Sequence, residues 1–429
     1  MDCCSQPGLL PVDQAISLMR DAITPITATE KISLANALDR ILSEPIYSTR
    51  NVPSHNNSAM DGYALRHQDI NTETPLTLIG HSLAGHPFKG AVNQGECVRI
   101  MTGAIIPYGA DTVVMQENVR THSTTLTHTQ DEIIHINKPP KLGENIRCAG
   151  EDVAINALVF EQGKRISPVD IGLLVSLGIA EVSVLKRIKV AVLSTGDELK
   201  PLTEKLQAGD IYDSNRPTII ALLSRLAVDV IDIGCIADDP AKIADAFITA
   251  IAQADVVISS GGVSVGDADY TKDVLATLGK INFWKVAMKP GKPFAFGALH
   301  KHHSAEHKSN DSQGWFFGLP GNPVSAVVTY HQLVVPALRY LAGEKFESSP
   351  TLCVSTKTNL KKQPGRADYQ RAQLSEQNGE NQVVATSNQS SGVLSSLAHA
   401  NCYIVLEQER GTVAAGEKVN VVLFDRFLQ

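Results

Sequence analysis

Apolar runs of strand length alternate with helical segments over residues 189–343, and this alternation limits the folds open to the chain. The runs KVAVLSTG, DVIDIGCI and DVVISS are each followed by a segment with helical spacing. Asp239 and Pro240 are typical of a helix start, as N-cap and first-turn residue. INFWKVAM and PFAFGAL indicate further strands, and residues 322–343 indicate one long closing helix, with Asn322 as candidate N-cap. Strands that alternate with helices predict a doubly wound, mainly parallel sheet.

The strand DVVISS ends in a loop with very little side-chain bulk. In SSGGVSVGDADY, the residues at the strand end are Ser260, Gly261, Gly262 and Ser264. Ligands of a doubly wound sheet bind beyond the carboxyl ends of its strands, and glycines let backbone N–H groups approach a phosphate closely. The loop has neither the G-K-[ST] of a P-loop nor G-x-G-x-x-G. It therefore predicts a phosphate site, or, without a ligand, a tight strand-to-helix turn.

Carboxylates follow the ends of three of these strands. Glu198 lies in STGDEL, Asp238 in ADDP, and Asp269 in GDADYTK. Carboxylates near a phosphate are typical of a hard divalent cation, most often Mg²⁺. A solvated acidic rim is the alternative interpretation.

Lysines are concentrated in WKVAMKPGKPFAFG. Lys285, Lys289 and Lys292 fall within eight residues, and Pro290 and Pro293 exclude a regular helix. The even spacing of Lys285 and Lys289 predicts that they share one face of a strand. Two such lysines suit a phosphate or another small oxyanion, and a solvated charge run is the alternative.

The remainder of the chain predicts one helix and two β-rich regions. Residues 9–28 have helical spacing, with Asp13 near the start. Residues 29–186 contain short alternating strands such as Cys97–Met101 and Asp111–Met115, separated by Gly and Pro. From about residue 348 the pattern predicts a small β-barrel or sandwich without a helix.

Composition excludes several classes of function. With 43% hydrophobic and 19% charged residues, the chain is typical of a soluble globular protein. The net charge of −7 argues against nucleic-acid binding, although it leaves room for a local basic pocket. No uncharged apolar run reaches the length of a membrane span, and the N-terminus lacks the features of a signal peptide. The seven scattered cysteines predict free thiols in a reducing cytoplasm.

A polar insert at residues 299–314 is rich in histidine. We expect a surface hairpin tip, and the alternative is metal binding by His300, His302, His303 and His307.

Taken together, the motifs SAMDGYA, RIMTGA, STGDEL, SSGGVSVGDADYTK, WKVAMKPGKPF and GLPGNPVS, in this order, resemble those of the MoeA family. The E domain of gephyrin belongs to the same family. The resemblance implies a molybdopterin molybdenumtransferase that takes adenylylated molybdopterin and molybdate, with Mg²⁺, and produces molybdenum cofactor and AMP. It also implies a homodimer with composite active sites, and partners such as molybdopterin adenylyltransferase and other proteins of the cofactor pathway.

The resemblance implies a multidomain α/β architecture in four parts. The molybdopterin-binding, adenylyltransferase-like sheet domain is expected over residues 9–28 and 187–347. A linker or dimerisation domain is expected over 29–47 and 157–186. A β-rich domain would span 48–156, and a C-terminal β-barrel domain 348–429.

The resemblance also implies which residues act. In the N-terminal half these are Asp61, Thr102 and Asp152, and in the sheet domain Glu198, Asp238 and Asp269. Glu198 and Asp269 would hold Mg²⁺ on the pyrophosphate. An oxyanion pocket would be formed by Lys285, Lys289, Arg371 and Ser391, where Ser390 precedes Ser391 in place of the glycine expected in the family. Two alternatives remain open: a non-catalytic pterin-binding scaffold or carrier on the same fold, and a pterin adenylyltransferase.

Overall fold

The protein forms two compact units in the computed structural model, which describes residues 9–70, 74–124, 131–262, 270–301, 313–345 and 350–424. The first unit comprises residues 1–43, 163–168 and 182–429. The second unit comprises residues 44–162 and 169–181. The second unit is therefore inserted into the first along the chain. The finer division into four parts stays a prediction.

Within the described residues, the helices are α1 (Val12–Ala22), α2 (Pro168–Ser176), α3 (Asn215–Leu223), α4 (Pro240–Gln253), α5 (Tyr270–Leu278), α6 (Pro323–Thr329), α7 (Val335–Leu341) and α8 (Ser395–Ala398). The strands as far as residue 185 are β1 (Thr29–Ser33), β2 (Ile46–Tyr47), β3 (Asn57–Ser58), β4 (Gly62–Leu65), β5 (Leu76–Ser82), β6 (Glu96–Ile100), β7 (Thr112–Met115), β8 (Val119–Thr124), β9 (Asp131–Ile136), β10 (Ile146–Arg147), β11 (Leu158–Phe160) and β12 (Glu181–Leu185). The later strands are β13 (Ile188–Thr195), β14 (Leu199–Lys200), β15 (Ile211–Tyr212), β16 (Val228–Ile236), β17 (Val256–Ser260), β18 (Gly279–Lys285), β19 (Met288–Lys289), β20 (Pro293–His300), β21 (Gln313–Leu319), β22 (Leu352–Thr356), β23 (Ala367–Gln377), β24 (Glu380–Ala385), β25 (Cys402–Leu406) and β26 (Lys418–Leu423).

The central sheet of the first unit has the strand order β16-β13-β17-β21-β20-β18. Its first four strands run parallel. Next to them, β20 runs antiparallel to β21, and the edge strand β18 runs antiparallel to β20. β13 and β17 are buried almost throughout because helices cover both faces of the sheet. The predicted doubly wound, mainly parallel sheet is confirmed, and the antiparallel edge is an addition that periodicity did not indicate.

Two hydrophobic clusters occupy the two faces of this sheet. Successive residues of β13 show the division, since Val190 and Val192 belong to one cluster and Ala191 and Leu193 to the other. Helices α1, α3, α6 and α7 contribute to the first cluster, and α4 and α5 contribute to the second. The N-cap Asp239 of α4 accepts hydrogen bonds from two backbone N–H groups, as its sequence predicts.

Helix α1 packs with the sheet although the whole second unit follows it along the chain, as the resemblance implies. Ala15 and Met19 are buried in the first cluster. The helix is shorter than the predicted 9–28. It begins after Pro11, with Asp13 in its first turn, and Ile23 is already extended.

The predicted long helix over residues 322–343 changes its pitch in the middle. α6 and α7 are joined by a π-helical turn, Tyr330–Val334. Pro336 lies in the first turn of α7. Proline has no N–H to donate and its ring clashes with the carbonyl group four residues earlier, so a wider turn before it lets the helix continue.

The C-terminal strands form a closed barrel. β23, β24, β22, β26 and β25 are hydrogen-bonded in that order, and β23 also pairs with β25. β23 is the longest of them and was not predicted, because its first half buries the polar residues Asp368, Gln370 and Arg371. The expectation of no helix in this region was wrong, since the one-turn helix α8 lies between β24 and β25.

The second unit is β-rich, as predicted. Its main sheet has the order β7-β4-β6-β5-β9-β8. The predicted strands Cys97–Met101 and Asp111–Met115 correspond to β6 and β7, each shifted by about one residue. In neither unit is a described helix long and apolar enough to cross a membrane.

Candidate functional site

A cavity of about 770 Å³, lined by polar and apolar residues, lies at the carboxyl ends of the parallel strands β13, β16, β17 and β21. The predicted site residues that line it are Glu198, Asp238, Ser260, Gly261 and Gly262. The turn that precedes α6 closes part of its wall through Pro320, Gly321 and Asn322. The structure thus brings together five of the residues singled out in the sequence, where a sheet of this kind binds its ligands.

The glycines after β17 are required by the backbone. Gly261 has φ +89° and Gly262 has φ +64°, a region that residues with a Cβ rarely adopt. A Cβ on Gly261 would lie 2.6 Å from the carbonyl oxygen of Thr195, and one on Gly262 would collide with the hydroxyl of Thr271. The strand end therefore presents backbone, without side chains, to the cavity.

Thr195, at the end of β13, contributes a polar atom that the sequence did not single out. Its hydroxyl is buried and has no hydrogen-bond partner among the described residues. A buried polar atom without a partner costs free energy. An anion seated in the cavity at this strand end would supply that partner.

Asn215, the first residue of α3, was also missed. Its side-chain amide donates to Ser260 Oγ at 2.8 Å and to the carbonyl oxygen of Gly321 at 2.7 Å. It therefore joins two walls of the cavity. The available signal was the polar run Asp213–Arg216 directly after the strand β15, but a polar run before a helix is also typical of a simple cap.

A network of ion pairs and hydrogen bonds holds the start of α3, where Asn215 lies. Asp213 is buried, accepts a hydrogen bond from Ser194 Oγ at 2.6 Å, and pairs with Arg216 at 2.9 Å. Arg216 also contacts Asp232 at 2.5 Å. Burial lowers the pKa of Arg216, but the two carboxylates outweigh it and raise that pKa above its ordinary value. The start of α3 is fixed by these pairs.

Two carboxylates, Glu198 and Asp238, line the same cavity. The carboxyl group of Glu198 folds over Gly196, where an added Cβ would meet Glu198 Oε2 at 2.7 Å. The backbone N–H of Asp238 donates to Asp197 Oδ1 at 3.0 Å. Burial raises the pKa of Asp238, and the negative charges of Asp197 and Glu198 raise it further. These side chains are close enough to repel one another.

The described residues contain no cluster of three or more His, Cys, Asp or Glu side chains arranged to hold a metal ion. Asp269, predicted to hold Mg²⁺ with Glu198, and Ser264 both lie outside the described residues. Of the histidines in the insert, His300 is the last residue of β20. His302, His303 and His307 lie outside the described residues. The strands on either side of the insert, β20 and β21, pair antiparallel with His300 opposite Gln313, and the predicted hairpin tip between them lies outside the described residues.

Asp61 and Thr102 of the second unit form a direct pair. Asp61 Oδ1 accepts hydrogen bonds from the backbone N–H of Thr102 at 2.7 Å and from its hydroxyl at 2.8 Å. These two bonds, with a smaller contribution from the charge of Arg99, lower the pKa of Asp61. The side chain of Asp152 is exposed, and its backbone N–H donates to the carbonyl oxygen of Val52 at 3.0 Å.

The prediction that Lys285 and Lys289 share one strand face was wrong. Lys285 ends β18 of the central sheet, whereas Lys289 lies in β19, which pairs with β23 of the barrel. The chain passes from one sheet to the other between them, and the connecting residues Val286, Ala287 and Met288 are all buried. Lys289 is half-exposed and pairs with Asp368 at 3.4 Å, and it lines a separate cavity.

Arg371 is buried in the barrel, with 1% of its surface exposed. Its Nε donates to Ser396 Oγ at 3.2 Å, and Nη2 donates to the carbonyl oxygen of Ser390 at 3.1 Å. Burial lowers its pKa. Ser391 accepts a hydrogen bond at its carbonyl oxygen from the N–H of Val324, in the first turn of α6, at 3.1 Å. Arg371 thus supports the segment that carries Ser391.

The fold and this cavity define a class: a multidomain α/β protein with a large cavity at the strand ends of a doubly wound sheet and a C-terminal barrel. Three family models match the chain in succession. They are the MoeA N-terminal region (domain I and II) over residues 10–178, the probable molybdopterin binding domain over 191–340, and the MoeA C-terminal region (domain IV) over 354–424. The chain belongs to the MoeA family, as its motifs predict.

Individual relatives agree with this assignment. A molybdopterin molybdenumtransferase of Haemophilus influenzae is 47% identical over 423 residues, which cover 98% of this chain and 100% of the relative. Gephyrin of Dictyostelium discoideum is 33% identical over 459 residues, covering 98% of this chain and 63% of that protein. The crystal structure of the molybdopterin biosynthesis moeA protein from Pyrococcus horikoshii has a TM-score of 0.79 at 28% identity, covering 97% of this chain and 100% of that one.

Proposed function

We propose that this chain is a molybdopterin molybdenumtransferase, which inserts molybdate into adenylylated molybdopterin and releases AMP in molybdenum cofactor biosynthesis. The observation that carries the proposal is the cavity that Glu198 and Asp238 line together with the glycine strand end, residues 260–262. It occurs in a chain 47% identical, over its whole length, to a relative of that name.

The glycine strand end holds phosphate of the pterin nucleotide in this proposal. Gly261 already donates its N–H to the carbonyl oxygen of Leu319 at 3.2 Å. Among the described residues, the donors left for an anion are therefore the N–H of Gly262 and the hydroxyl of Thr195. The absence of side-chain bulk lets the phosphate approach these donors closely.

Glu198 and Asp238, with Asp269, would hold Mg²⁺. Their oxygen donors suit a hard divalent cation. Burial contributes most to the raised pKa of Asp238, and the repulsion from Asp197 and Glu198 that adds to it would be relieved by a positive charge. When bound, Mg²⁺ offsets the negative charge of the phosphoanhydride as it breaks. The carboxylates would hold the cation, and the cation would in turn bind the pyrophosphate beside the glycine strand end.

The second substrate, molybdate, is a tetrahedral dianion that suits cationic and hydroxyl donors. We assign it to Lys285, Lys289 and Ser391, with the buried Arg371 as the residue that supports them from within the barrel. Because Arg371 donates to the carbonyl oxygen of Ser390, it also sets the position of the neighbouring Ser391. The dithiolene sulfurs that receive the molybdenum belong to the pterin, so the reaction needs no catalytic cysteine.

We further propose a homodimer in which Asp61, Thr102 and Asp152 of one subunit complete the active site of the other. The test is complementation between inactive chains. Asp61→Asn and Glu198→Gln proteins, mixed after dissociation, should regain about a quarter of the wild-type rate, since half of the dimers formed at random carry one intact site. No recovery in a mixture that demonstrably forms mixed dimers would contradict the composite site.

The proposed setting is the cytoplasm, where molybdopterin adenylyltransferase would deliver the substrate. The decisive experiment measures AMP release from adenylylated molybdopterin with Mg²⁺, with and without molybdate. Molybdate-dependent AMP release with formation of active cofactor supports the transferase. Retention of the bound pterin without AMP release would favour a scaffold or carrier, and ATP consumption would favour an adenylyltransferase.

A further inference from the structure

The cavity at the strand ends of the central sheet is poor in positive charge. The described residues that line it, from Thr195 to Gly392, include carboxylates, hydroxyl groups, amides and apolar side chains, but no Lys, Arg or His. In the proposed function this cavity holds a phosphoanhydride, in which both phosphates are negatively charged. Neutral donors such as the hydroxyl of Thr195 can bind phosphate oxygens, but they do not balance that charge.

A divalent cation does not complete the charge balance either. If Glu198 and Asp238, which line the cavity, hold Mg²⁺, their two carboxylates already match its two positive charges. Asp269 would add a third carboxylate to the same ion. The two phosphates therefore keep an excess of negative charge, which favours a further cation from outside the cavity.

Arg99 is a cation beside the Asp61–Thr102 pair of the second unit. It lies in β6, directly opposite Tyr63 of β4. Asp61 immediately precedes β4, and Thr102 follows the end of β6, so Arg99 and the pair share one end of the sheet. The charge of Arg99 contributes to the lowered pKa of Asp61, after the two hydrogen bonds from Thr102. A residue at this end of the sheet is well placed to act with Asp61.

The guanidinium group of Arg99 is held in a fixed position. Its Cζ lies 4.9 Å from the centroid of the Tyr63 ring, an arrangement in which a cation and an aromatic ring attract each other. Nη1 donates to the carbonyl oxygen of Gly62 at 3.5 Å, and Nη2 donates to Gln116 Oε1. Tyr63 belongs to the core of the second unit. Arg99 is therefore ordered before a ligand arrives, which reduces the entropy lost on binding.

The same guanidinium group is still available to a ligand. Arg99 is half-buried, and its hydrogen bonds to Gly62 and Gln116 leave other N–H groups of the guanidinium over. Its planar fork of donors matches the oxygen atoms of a phosphate, and its charge is permanent. The nearby Arg66, by comparison, is already paired with Asp69 at 3.5 Å.

We propose that Arg99 of one subunit binds the phosphoanhydride of the adenylylated pterin that the strand-end cavity of the other subunit holds. The inference rests on the proposed function and on its composite homodimer. The cavity then supplies the neutral donors and the metal-binding carboxylates, and the second unit of the partner subunit supplies the positive charge that the cavity lacks. The nucleotide is bound tightly only where both subunits meet.

The test compares two replacements of Arg99 that fill nearly the same space. Arg99→Met keeps an apolar stem over Tyr63 without the charge, and Arg99→Lys keeps the charge. Arg99→Met should raise KM for adenylylated molybdopterin about 10- to 100-fold, as expected for the loss of a hydrogen bond to a charged group. The value of kcat should change less, because the phosphate charges are already present in the bound substrate. Arg99→Lys should keep most of the wild-type affinity.

The matched control is Arg120→Ala, which removes one positive charge from an exposed position in β8 of the same sheet. Its KM should equal that of the wild type. Thermal unfolding of each variant verifies that the second unit is folded. A purely structural role for Arg99 would lower the thermal midpoint and leave KM unchanged, and this result overturns the proposal. Equal KM values for folded Arg99→Met and Arg99→Lys proteins overturn it as well, since the charge would then be irrelevant.

Complementation shows on which side of the composite site Arg99 acts. Arg99→Met mixed with Glu198→Gln should regain about a quarter of the wild-type rate at a substrate concentration below KM, since half of the dimers formed at random carry one intact site. Arg99→Met mixed with Asp61→Asn should not exceed the rate of Arg99→Met alone, because neither site of the mixed dimer is intact. Recovery in this second mixture would overturn the assignment of Arg99 to the same side as Asp61.

The two proposals fail in different ways. Failure of the proposed function would appear as no AMP release from the wild-type protein. Failure of this inference would appear as a wild-type KM in Arg99→Met, with AMP release intact.

Discussion

The side-chain amide nitrogen of Asn215 donates at once to Ser260 Oγ and to the carbonyl oxygen of Gly321, at 2.8 and 2.7 Å. The first acceptor ends β17, and the second belongs to the turn before α6. One planar group therefore sets the spacing between two walls of the cavity at the strand ends.

Replacement of Asn215 by alanine should loosen both walls. The loss of two hydrogen bonds predicts a decrease of about 1–3 kcal/mol in the free energy of unfolding. The rate of AMP release should fall more than this stability loss explains at 25 °C. Asn420→Ala is the control, because Asn420 bonds Glu407 on the exposed barrel surface. Equal activity in the two variants would show that Asn215 only stabilises the fold.

Gly262→Ala separates backbone strain from steric collision. Gly262 and Gly379 both have positive φ, at +64° and +79°, but only at Gly262 would a Cβ meet a neighbour. Gly379→Ala should cost about 1–2 kcal/mol of stability from the backbone alone. Gly262→Ala should cost about 1–3 kcal/mol more from overpacking against Thr271. Urea unfolding of both variants measures the difference. Equal losses in the free energy of unfolding would contradict the close packing inferred at this strand end.

Asp238 gives the stability of the metal-free protein a pH dependence. Its pKa is raised above its ordinary value by burial and by Asp197 and Glu198. The folded protein therefore keeps this proton at a pH where the unfolded chain has lost it, and stability falls as the pH rises from the unfolded pKa through the folded pKa.

Asp238→Asn should remove the decrease in stability with rising pH, and it should raise the thermal midpoint of the metal-free protein at neutral pH. It should also reduce the further stabilisation that MgCl₂ produces in the wild type. Thermal unfolding at acidic and neutral pH, with and without MgCl₂, measures both effects. Asp245→Asn, on the same helix as the Asp239 cap, controls for the loss of one charge. Identical pH profiles for Asp238→Asn and the wild type would contradict the electrostatic account.

Gln389 attaches the segment before Ser391 to the barrel. Its side-chain amide accepts from the N–H of Arg371 at 3.0 Å and donates to the carbonyl oxygens of Arg371 at 2.8 Å and Thr386 at 3.0 Å. It pairs with the backbone of β23 as another strand would.

Gln389→Glu has nearly the same shape as the wild-type side chain but turns a carboxylate toward two carbonyl oxygens. It should therefore weaken molybdate-dependent AMP release more than Gln389→Ala, which loses about 1–3 kcal/mol of hydrogen bonding. The half-saturating molybdate concentration is the readout, and Gln377→Ala on the exposed end of β23 is the control. A milder effect of glutamate than of alanine would exclude this arrangement.

Periodicity was enough to predict the central sheet because its strands and helices bury regular apolar faces. The N-cap Asp239 was also predictable, because a cap depends only on the hydrogen bonds that its side chain makes to the next few backbone N–H groups. β23 was missed because the barrel buries Asp368, Gln370 and Arg371 within it, and buried polar residues carry no apolar alternation.

The candidate site was predictable where single residues follow strand ends, as Glu198, Asp238 and Gly261 do. Asn215 could not be found in this way, since its role depends on two segments far along the chain. The prediction that Lys285 and Lys289 share one strand face was wrong for a similar reason. Even spacing assumes one continuous strand, and the chain passes from one sheet to another between them.

The position of α1 in the first unit has a consequence for the order in which the protein is made. Ala15 and Met19 leave the ribosome before any strand of the central sheet, and 165 residues separate Ala22 from Ile188. At ordinary translation speeds the apolar face of α1 waits on the order of ten seconds for its partners. During that interval the inserted unit can fold, and the nascent helix is the segment that a chaperone would be expected to cover.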